Sequence, residues 1–399
     1  MPVDVNKEVR ALHDEIVQCR RWLHAHGERS WKEFQTTKFL VEKLREFGME
    51  PHTYAERTGC WALIKGGKAG PGAKTILLRA DIDAMPADDP KDVPYRNTLP
   101  EAVHSCGHDS HTTMVLYAGR ILNAVRQELT GNVKLVFEAG EELGEGGNFC
   151  VSQGLVDDVD AAFAIHVWGE LGQGLVNIGS GTRTAAFNRL KIVLHGHGTH
   201  TGAPEDSRDT IMAAAKVIEN LQLIETRYKS PFETVIVAIG KIYGGSAPNT
   251  YCDTLTMEGT IRTYSMAFMD RMDEEVARIV KGTAALLGCT ADIEIYRGHP
   301  PVVHDPEMVE ISRRAVRNLF GEEALANDFP PMGASDTFSS YSTHVPGIFA
   351  LLGTKNLEKG FDKTVHNDYY DMDDDAVVPR GTAIFAQVVL EYFKAQQAK

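Results

Sequence analysis

The strongest constraint on this chain is a change of rhythm along its length. Up to about Thr182, and again after Pro300-Pro301, short apolar runs of strand type alternate with amphipathic helical stretches. Between them the order is strand, helix, strand, strand, helix, strand. The outer pattern demands a sheet covered by helices, because its strands are apolar on both faces and each helix has one apolar stripe to bury. The inner pattern is the order of a ferredoxin-like βαββαβ unit. A chain that begins one pattern, completes another and returns to the first predicts an α/β fold of two domains. Residues 1–182 and 301–399 form a domain with a mixed sheet, and residues 183–300 a satellite domain inserted into it.

In the first segment, Val9, Leu12, Ile16 and Leu23 recur at helical period over Asn6–His24, and Phe39, Leu40, Leu44 and Phe47 over Thr36–Phe47, with Gly48 as the C′ residue. Cys60–Lys65 and Thr75–Asp83 read as strands, followed by a helix over His111–Arg126 and strands over Asn132–Ala139 and Ala161–Val167. The satellite reads as strands Arg189–His195, Thr234–Tyr243, Thr254–Thr263 and Thr290–Arg297 with helices Thr210–Thr226 and Ala267–Leu287. A helix over Met308–Phe320, a strand over Gly347–Leu352 and a helix from about Val377 complete the first domain. Ligands of such sheets sit beyond the strand C-termini, which draws attention to the polar end Arg79-Ala80-Asp81-Ile82-Asp83.

Composition narrows the partners. Forty-one Lys and Arg against 55 Asp and Glu give a net charge of −14, which opposes nucleic-acid phosphates and anionic lipid, so neither nucleic acid nor membrane is expected as a partner. The opening Met1-Pro2-Val3-Asp4 has no apolar signal segment, and no later run is long enough to span a bilayer. Cysteines at 19, 60, 106, 150, 252 and 289 lack the dense spacing of a disulfide scaffold. A cytoplasmic protein with reduced thiols and a small-molecule substrate is expected.

The densest chemistry lies in His104-Ser105-Cys106-Gly107-His108-Asp109-Ser110-His111, where four His and Cys side chains, all potential metal ligands, fall within eight positions. Thiolate and imidazole suit Zn²⁺, Mn²⁺, Co²⁺ and Ni²⁺, and a Cys-x-His pair around Gly107 lets both side chains reach one centre. Alone, the segment reads as a polar loop whose histidines cap a helix. Glu141-Glu142 directly follows a strand, where adjacent carboxylates point apart and can divide labour between ligand and base, although such pairs are commonly only solvated. His166 ends an otherwise apolar strand, as a core histidine does, and His366 lies in a polar stretch before the last helix.

Together these segments resemble a family. Arg79–Pro86, His104–His111, Phe137–Glu142, His166-Val167 and Gly259-Thr260-Ile261-Arg262 occur in the order and at the intervals of the dinuclear metal-dependent amidohydrolases. That family includes hippurate hydrolases, plant indole-acetyl-amino-acid hydrolases, aminobenzoyl-glutamate hydrolases and related aminoacylases and carboxypeptidases. The resemblance spans essentially the whole chain. It implies a metallopeptidase-like catalytic domain in which Cys106, His108, Glu142, His166 and His366 hold two divalent ions, Mn, Zn, Co or Ni. Glu141 falls on the general base, which takes a proton from activated water and delivers it to the leaving nitrogen. Where the wider superfamily has His-x-Asp, Arg79-Ala80-Asp81 lacks the His, so Cys106 and His108 compensate and Asp81 is expected to orient a ligand from behind. In the satellite, the resemblance makes His200 the residue that polarises the scissile carbonyl, Asn249 a substrate-binding residue and Arg262 the receiver of a substrate carboxylate. Without it, Asn249 reads as a turn residue and Arg262 as a strand arginine in a surface ion pair.

The implied activity is metal-dependent hydrolysis of the amide of an N-acyl or N-aroyl amino acid or a short peptide. The satellite would then act as a lid or as the interface of a homodimer or homotetramer. Rival readings are a hydrolytic deaminase of an aryl amine, a non-catalytic metal- or substrate-binding protein, which would not need Glu141, and a cysteine hydrolase using Cys106 and His108. The chain departs from family usage at Glu138-Ala139-Gly140, at Glu205 after Pro204, around Asp336 and at Asn367-Asp368 after His366. These departures point to altered preference for acyl group and amino acid.

Overall fold

Seven strands form the sheet of the first unit in the computed structural model, which describes residues 3–398. Across the sheet they run Pro51–Thr53, Cys60–Ile64, Asn132–Glu138, Thr75–Asp81, Ala161–Gly172, Gly347–Lys355 and Val176–Asn177. Thr75–Asp81 is parallel to both its neighbours and Gly347–Lys355 is parallel to Ala161–Gly172, while Cys60–Ile64 runs antiparallel, so the sheet is mixed. Every residue of Thr75–Asp81 is buried, as both faces of a central parallel strand must be when helices cover them. The register sets Asp81 opposite Glu138 and Arg79 opposite Ala164. The C-terminal ends of Thr75–Asp81 and Asn132–Glu138 therefore open side by side, with His166 inside the adjoining strand Ala161–Gly172. Helix His108–Ala124 is buried along nearly its whole length, and Asp374–Gln397 packs against it.

This unit gathers the chain up to Arg183, Val302–Pro330 and the chain from Asp336 onward. The second unit comprises Thr184–Pro301 and the short return segment Pro331–Ser335. Its antiparallel sheet runs Thr290–Arg297, Ala186–His195, Thr254–Thr263, Val235–Gly244, and it carries helices Thr210–Thr226 and Met266–Leu286. Along Ala186–His195 buried and partly exposed positions alternate, putting Leu190, Ile192 and Leu194 into a core with Val217, Leu221, Met272 and Val276. Periodicity does not reveal that Pro331–Ser335 joins this unit, because the segment has no regular repeat. Single bonds tie it down, among them Ala185 N–H to the Ala334 carbonyl and Arg262 Nη1 to the Gly333 carbonyl.

Several boundaries differ from the periodic reading, and the strand expected over Ala161–Val167 runs on to Gly172, which puts His166 inside it rather than at its end. The first long helix divides into Val5–Ala11 and His13–Ala25, the backbone leaving helical geometry at Leu12 (φ −103°, ψ 4°). The helix expected from His111 begins at His108, one turn earlier. No helix among the described residues is long and apolar enough to cross a membrane.

Candidate metal centre

Glycine at 107 makes the loop that carries Cys106 and His108 feasible. Its φ is +86°, and a Cβ there would lie 2.3 Å from Val167 Cγ2. Only a residue without a side chain takes this conformation at no cost while allowing the next strand so close. The turn leaves Cys106 in the loop and starts the helix at His108, with His111 one turn further on the same face. Gly140 does the same for the acid pair. At φ +76° it lies against the Trp31 ring and turns the chain at the end of Asn132–Glu138, so Glu141 and Glu142 diverge. His366 is one of three described non-glycine residues with positive φ (+65°), and its N–H donates to the Ser105 carbonyl at 2.8 Å. Strain of this kind persists where the surroundings hold it, and it clusters at functional sites.

The side chains these turns deliver face one another. Cys106 Sγ lies 3.4 Å from His166 Nε2. Glu142 Oε1 is 3.7 Å from His108 Nε2, and Glu142 Oε2 is 3.6 Å from His366 Nε2. Both buried imidazoles are fixed from behind. His108 Nδ1 donates to the Asp83 carbonyl at 2.9 Å with the Asp83 carboxylate 3.2 Å away, and His166 Nδ1 donates to the Val167 carbonyl at 2.6 Å. This leaves the Nε2 lone pairs aimed inward, the tautomer a metal ligand requires. His108 Nε2 and Glu142 Oε1 are buried without a hydrogen-bond partner. Two ligand atoms about 2.1 Å from one ion at a tetrahedral angle stand about 3.4 Å apart, so the observed spacings fit a cation between them. All five residues expected as ligands recur in three-member groups whose donor atoms lie within 4.8 Å of one another.

The charges point the same way. Burial, then the nearby Glu142, pushes the Cys106 thiol well up, and burial raises Glu142 to about 7. Burial, then Asp336 and Glu142, holds Glu141 well above the usual carboxylate range. His166 is held well below the usual imidazole range by burial and then by His111. Divalent cations offset the cost of the buried thiolate and carboxylate, and they suit the neutral imidazole that burial already favours at His166.

The supporting residues were only partly legible beforehand. The group that orients His108 is Asp83, whereas Asp81 accepts from His111 Nδ1 at 2.6 Å and from Arg79, and its Oδ2 stands 3.7 Å from His108 Nε2. His111 is saturated, because its Nε2 accepts from Val167 N–H at 2.9 Å. His104 points elsewhere, with its ring centroid 6.2 Å from that of His24, and burial pushes it down to about 3. Glu141 accepts from Thr337 N–H at 3.3 Å, a contact that no sequence spacing announces.

In the second unit, His200 and Asn249 are neighbours on two paired loops. Thr201 N–H donates to the Asn249 carbonyl at 3.0 Å and His200 bridges to Thr250. Both residues are exposed, and His200 Nδ1 accepts from Gly202 N–H at 3.0 Å. Arg262 lies 4.9 Å above the Phe187 ring.

Residues 77–391 match the family described as Peptidase family M20/M25/M40. The chain is 32% identical over 367 residues to N-acetyl-L-cysteine deacetylase of Bacillus subtilis, covering 92% of this chain and 86% of that protein. It is 29% identical to thermostable carboxypeptidase 2 of Saccharolobus solfataricus, covering 97% and 98%. Among solved structures it resembles the YXEP protein of Bacillus subtilis, described as a dinuclear metal binding peptidase from the M20 family, with a TM-score of 0.82, 27% identity and coverage of 96% and 99%. With turns, donor cluster and sequence in agreement, the chain belongs to the M20/M25/M40 peptidase family.

Proposed function

We propose that this protein is a dinuclear metal-dependent amidohydrolase that cleaves the amide of an N-acyl or N-aroyl amino acid or of a short peptide. One observation carries the reading. Beside a donor cluster suited to divalent cations stands a second carboxylate, Glu141, whose oxygen lies within 4.8 Å of the His108 and Glu142 donor atoms but takes its hydrogen bond from Thr337 N–H. In this reading Cys106, His108, Glu142, His166 and His366 hold the ions, and Glu141 is left to move protons. The chemistry the ions supply when bound is polarisation of the scissile carbonyl and acidification of the attacking water. Glu141 accepts a proton from that water and passes it to the departing amine, so the leaving group exits neutral.

The second unit is assigned to the substrate. His200 donates to the oxygen that becomes negative, Asn249 binds the substrate and Arg262 receives its carboxylate. Pairing of two copies through the same unit is part of the proposal. Its edge strand Val235–Gly244 has one neighbouring strand, and Ile236, Ile242 and Tyr243 are exposed on it. Six free, buried cysteines support a reducing, cytoplasmic setting.

A panel of N-acyl amino acids, dipeptides and aryl amines, assayed with protein reconstituted in turn with Mn²⁺, Zn²⁺, Co²⁺ and Ni²⁺, tests the activity. Hydrolysis of the first two classes, abolished by chelator and restored by metal, is the expected result. Turnover of aryl amines alone would replace the reading with a deaminase, and chelator-insensitive turnover blocked by thiol alkylation would replace it with a cysteine hydrolase.

A further inference from the structure

Arg79 stands where the strand Thr75–Asp81 nears the site, 2% exposed, and the reaction just described gives it no task. Its guanidinium is nonetheless bonded in every direction. Nη1 donates to Asp81 Oδ2 at 2.6 Å and lies 3.3 Å from Asp336 Oδ1. Nε and Nη2 grip Glu138 as a fork at 2.9 and 3.2 Å, and Nη2 also donates to Thr337 Oγ1 at 2.7 Å. Thr337 Oγ1 in turn donates to Glu138 Oε1, and Tyr341 Oη to Glu138 Oε2 at 2.7 Å. One planar cation thus joins two neighbouring strand ends to a loop that arrives from far along the chain. From that loop, Thr337 N–H reaches Glu141 Oε1 at 3.3 Å.

We propose that Arg79 is a positioning residue for Glu141, acting through the Asp336-Thr337 latch. The inference rests on the reading of Glu141 as the proton carrier. Glu141 follows the turn at Gly140 and needs a fixed donor to hold one oxygen toward the reacting water. Thr337 N–H is that donor, and the loop bearing it is held by Arg79. Without the guanidinium, Asp81, Glu138 and Asp336 would be buried carboxylates without their shared cation, and their repulsion would push the latch outward. A compact ammonium cannot replace the fork, since lysine lacks the planar donors that serve Glu138, Asp81 and Thr337 at once.

A double-mutant cycle tests this, with kcat, KM and metal content measured on metal-loaded protein. Thr337→Val keeps the backbone donor and the side-chain shape but cuts the bond to Arg79, and Arg79→Lys keeps the charge. Each is expected to lower kcat about 10- to 100-fold, the cost of a catalytic group displaced by about an ångström, with KM and metal content near wild type. In a Glu141→Gln background the same changes should add little, because the carboxylate they position is already gone. An equal fold-loss in both backgrounds, or wild-type kcat for Thr337→Val, overturns the latch. Should Arg79→Lys fail to fold, Thr337→Val decides alone. A Glu141→Gln protein with wild-type kcat is a different outcome, which overturns the proton-carrier reading and the latch with it.

Discussion

Replacing Gly107 by alanine probes the turn that brings Cys106 and His108 into the candidate donor cluster. Two costs add. An L-residue held at φ +86° costs about 1–2 kcal/mol relative to glycine. The new Cβ would lie 2.3 Å from Val167 Cγ2, and forcing an extra carbon into a packed interior costs about 1–3 kcal/mol. The sum, about 2–5 kcal/mol, lowers the unfolding midpoint of a unit this size by on the order of 10 °C. Relief requires movement of the loop or of the strand end, and these carry Cys106 and His108 on one side and His166 on the other. Metal content should therefore fall along with stability. Scanning calorimetry of chelated and metal-loaded protein, with elemental analysis of the latter, measures both. Gly70→Ala is the control, because a Cβ there meets nothing within 4 Å. A Gly107→Ala protein with the thermal midpoint and metal content of wild type would refute the argument.

Glu33 offers a pH test away from the ligands. It is fully buried, accepts from Gly140 N–H at 3.1 Å, and burial, then Asp83, pushes it up to about 7. A folded-state pKa above the unfolded value of about 4.3 means that the protonated form favours folding. The benefit is full below about pH 4 and is lost as pH rises through 7, a change of at most about 4 kcal/mol. Urea titrations of metal-free protein should therefore find Glu33→Gln gaining on wild type between pH 5 and pH 8, and the opposite trend would remove Glu33 as the cause. For His200→Ala, kcat should fall by about 10² to 10³ with metal content intact, and wild-type kcat would leave His200 a loop residue. Mixing inactive His200→Ala with inactive Glu141→Gln protein should restore part of the activity if copies share sites, and no recovery would mean that each chain uses its own His200.

Much of the frame was legible because its signals are local. The buried strand Thr75–Asp81 and the amphipathic helix Thr210–Thr226 follow from runs of adjacent residues, and the latter has the bounds its period suggests. That these five side chains come together was legible for another reason: Cys106, His108, Glu142, His166 and His366 sit in segments whose order matches a family, although Glu142 and His366 taken alone look like ordinary surface residues. What sequence could not supply depends on side-chain direction and on contacts distant along the chain. Asp81 and Asp83 both follow from the strand, yet only coordinates tell that Asp83 takes His108 and Asp81 takes His111. The bond from Thr337 to Glu141 spans 196 positions, and no local period carries such a contact. The short helices Gly146–Ser152 and Phe338–Ser342 are one or two turns long, too brief for a 3.6-residue repeat to register.

The most direct test of the central claim is anomalous diffraction from crystals of metal-loaded protein, collected above and below the absorption edge of the loaded metal. Two peaks are expected, each about 2.0–2.3 Å from donor atoms drawn from Cys106, His108, Glu142, His166 and His366, with Glu141 outside bonding distance of both. A single peak, or peaks lying instead between Asp81, His108 and His111, would contradict the assignment of five ligands to a dinuclear centre.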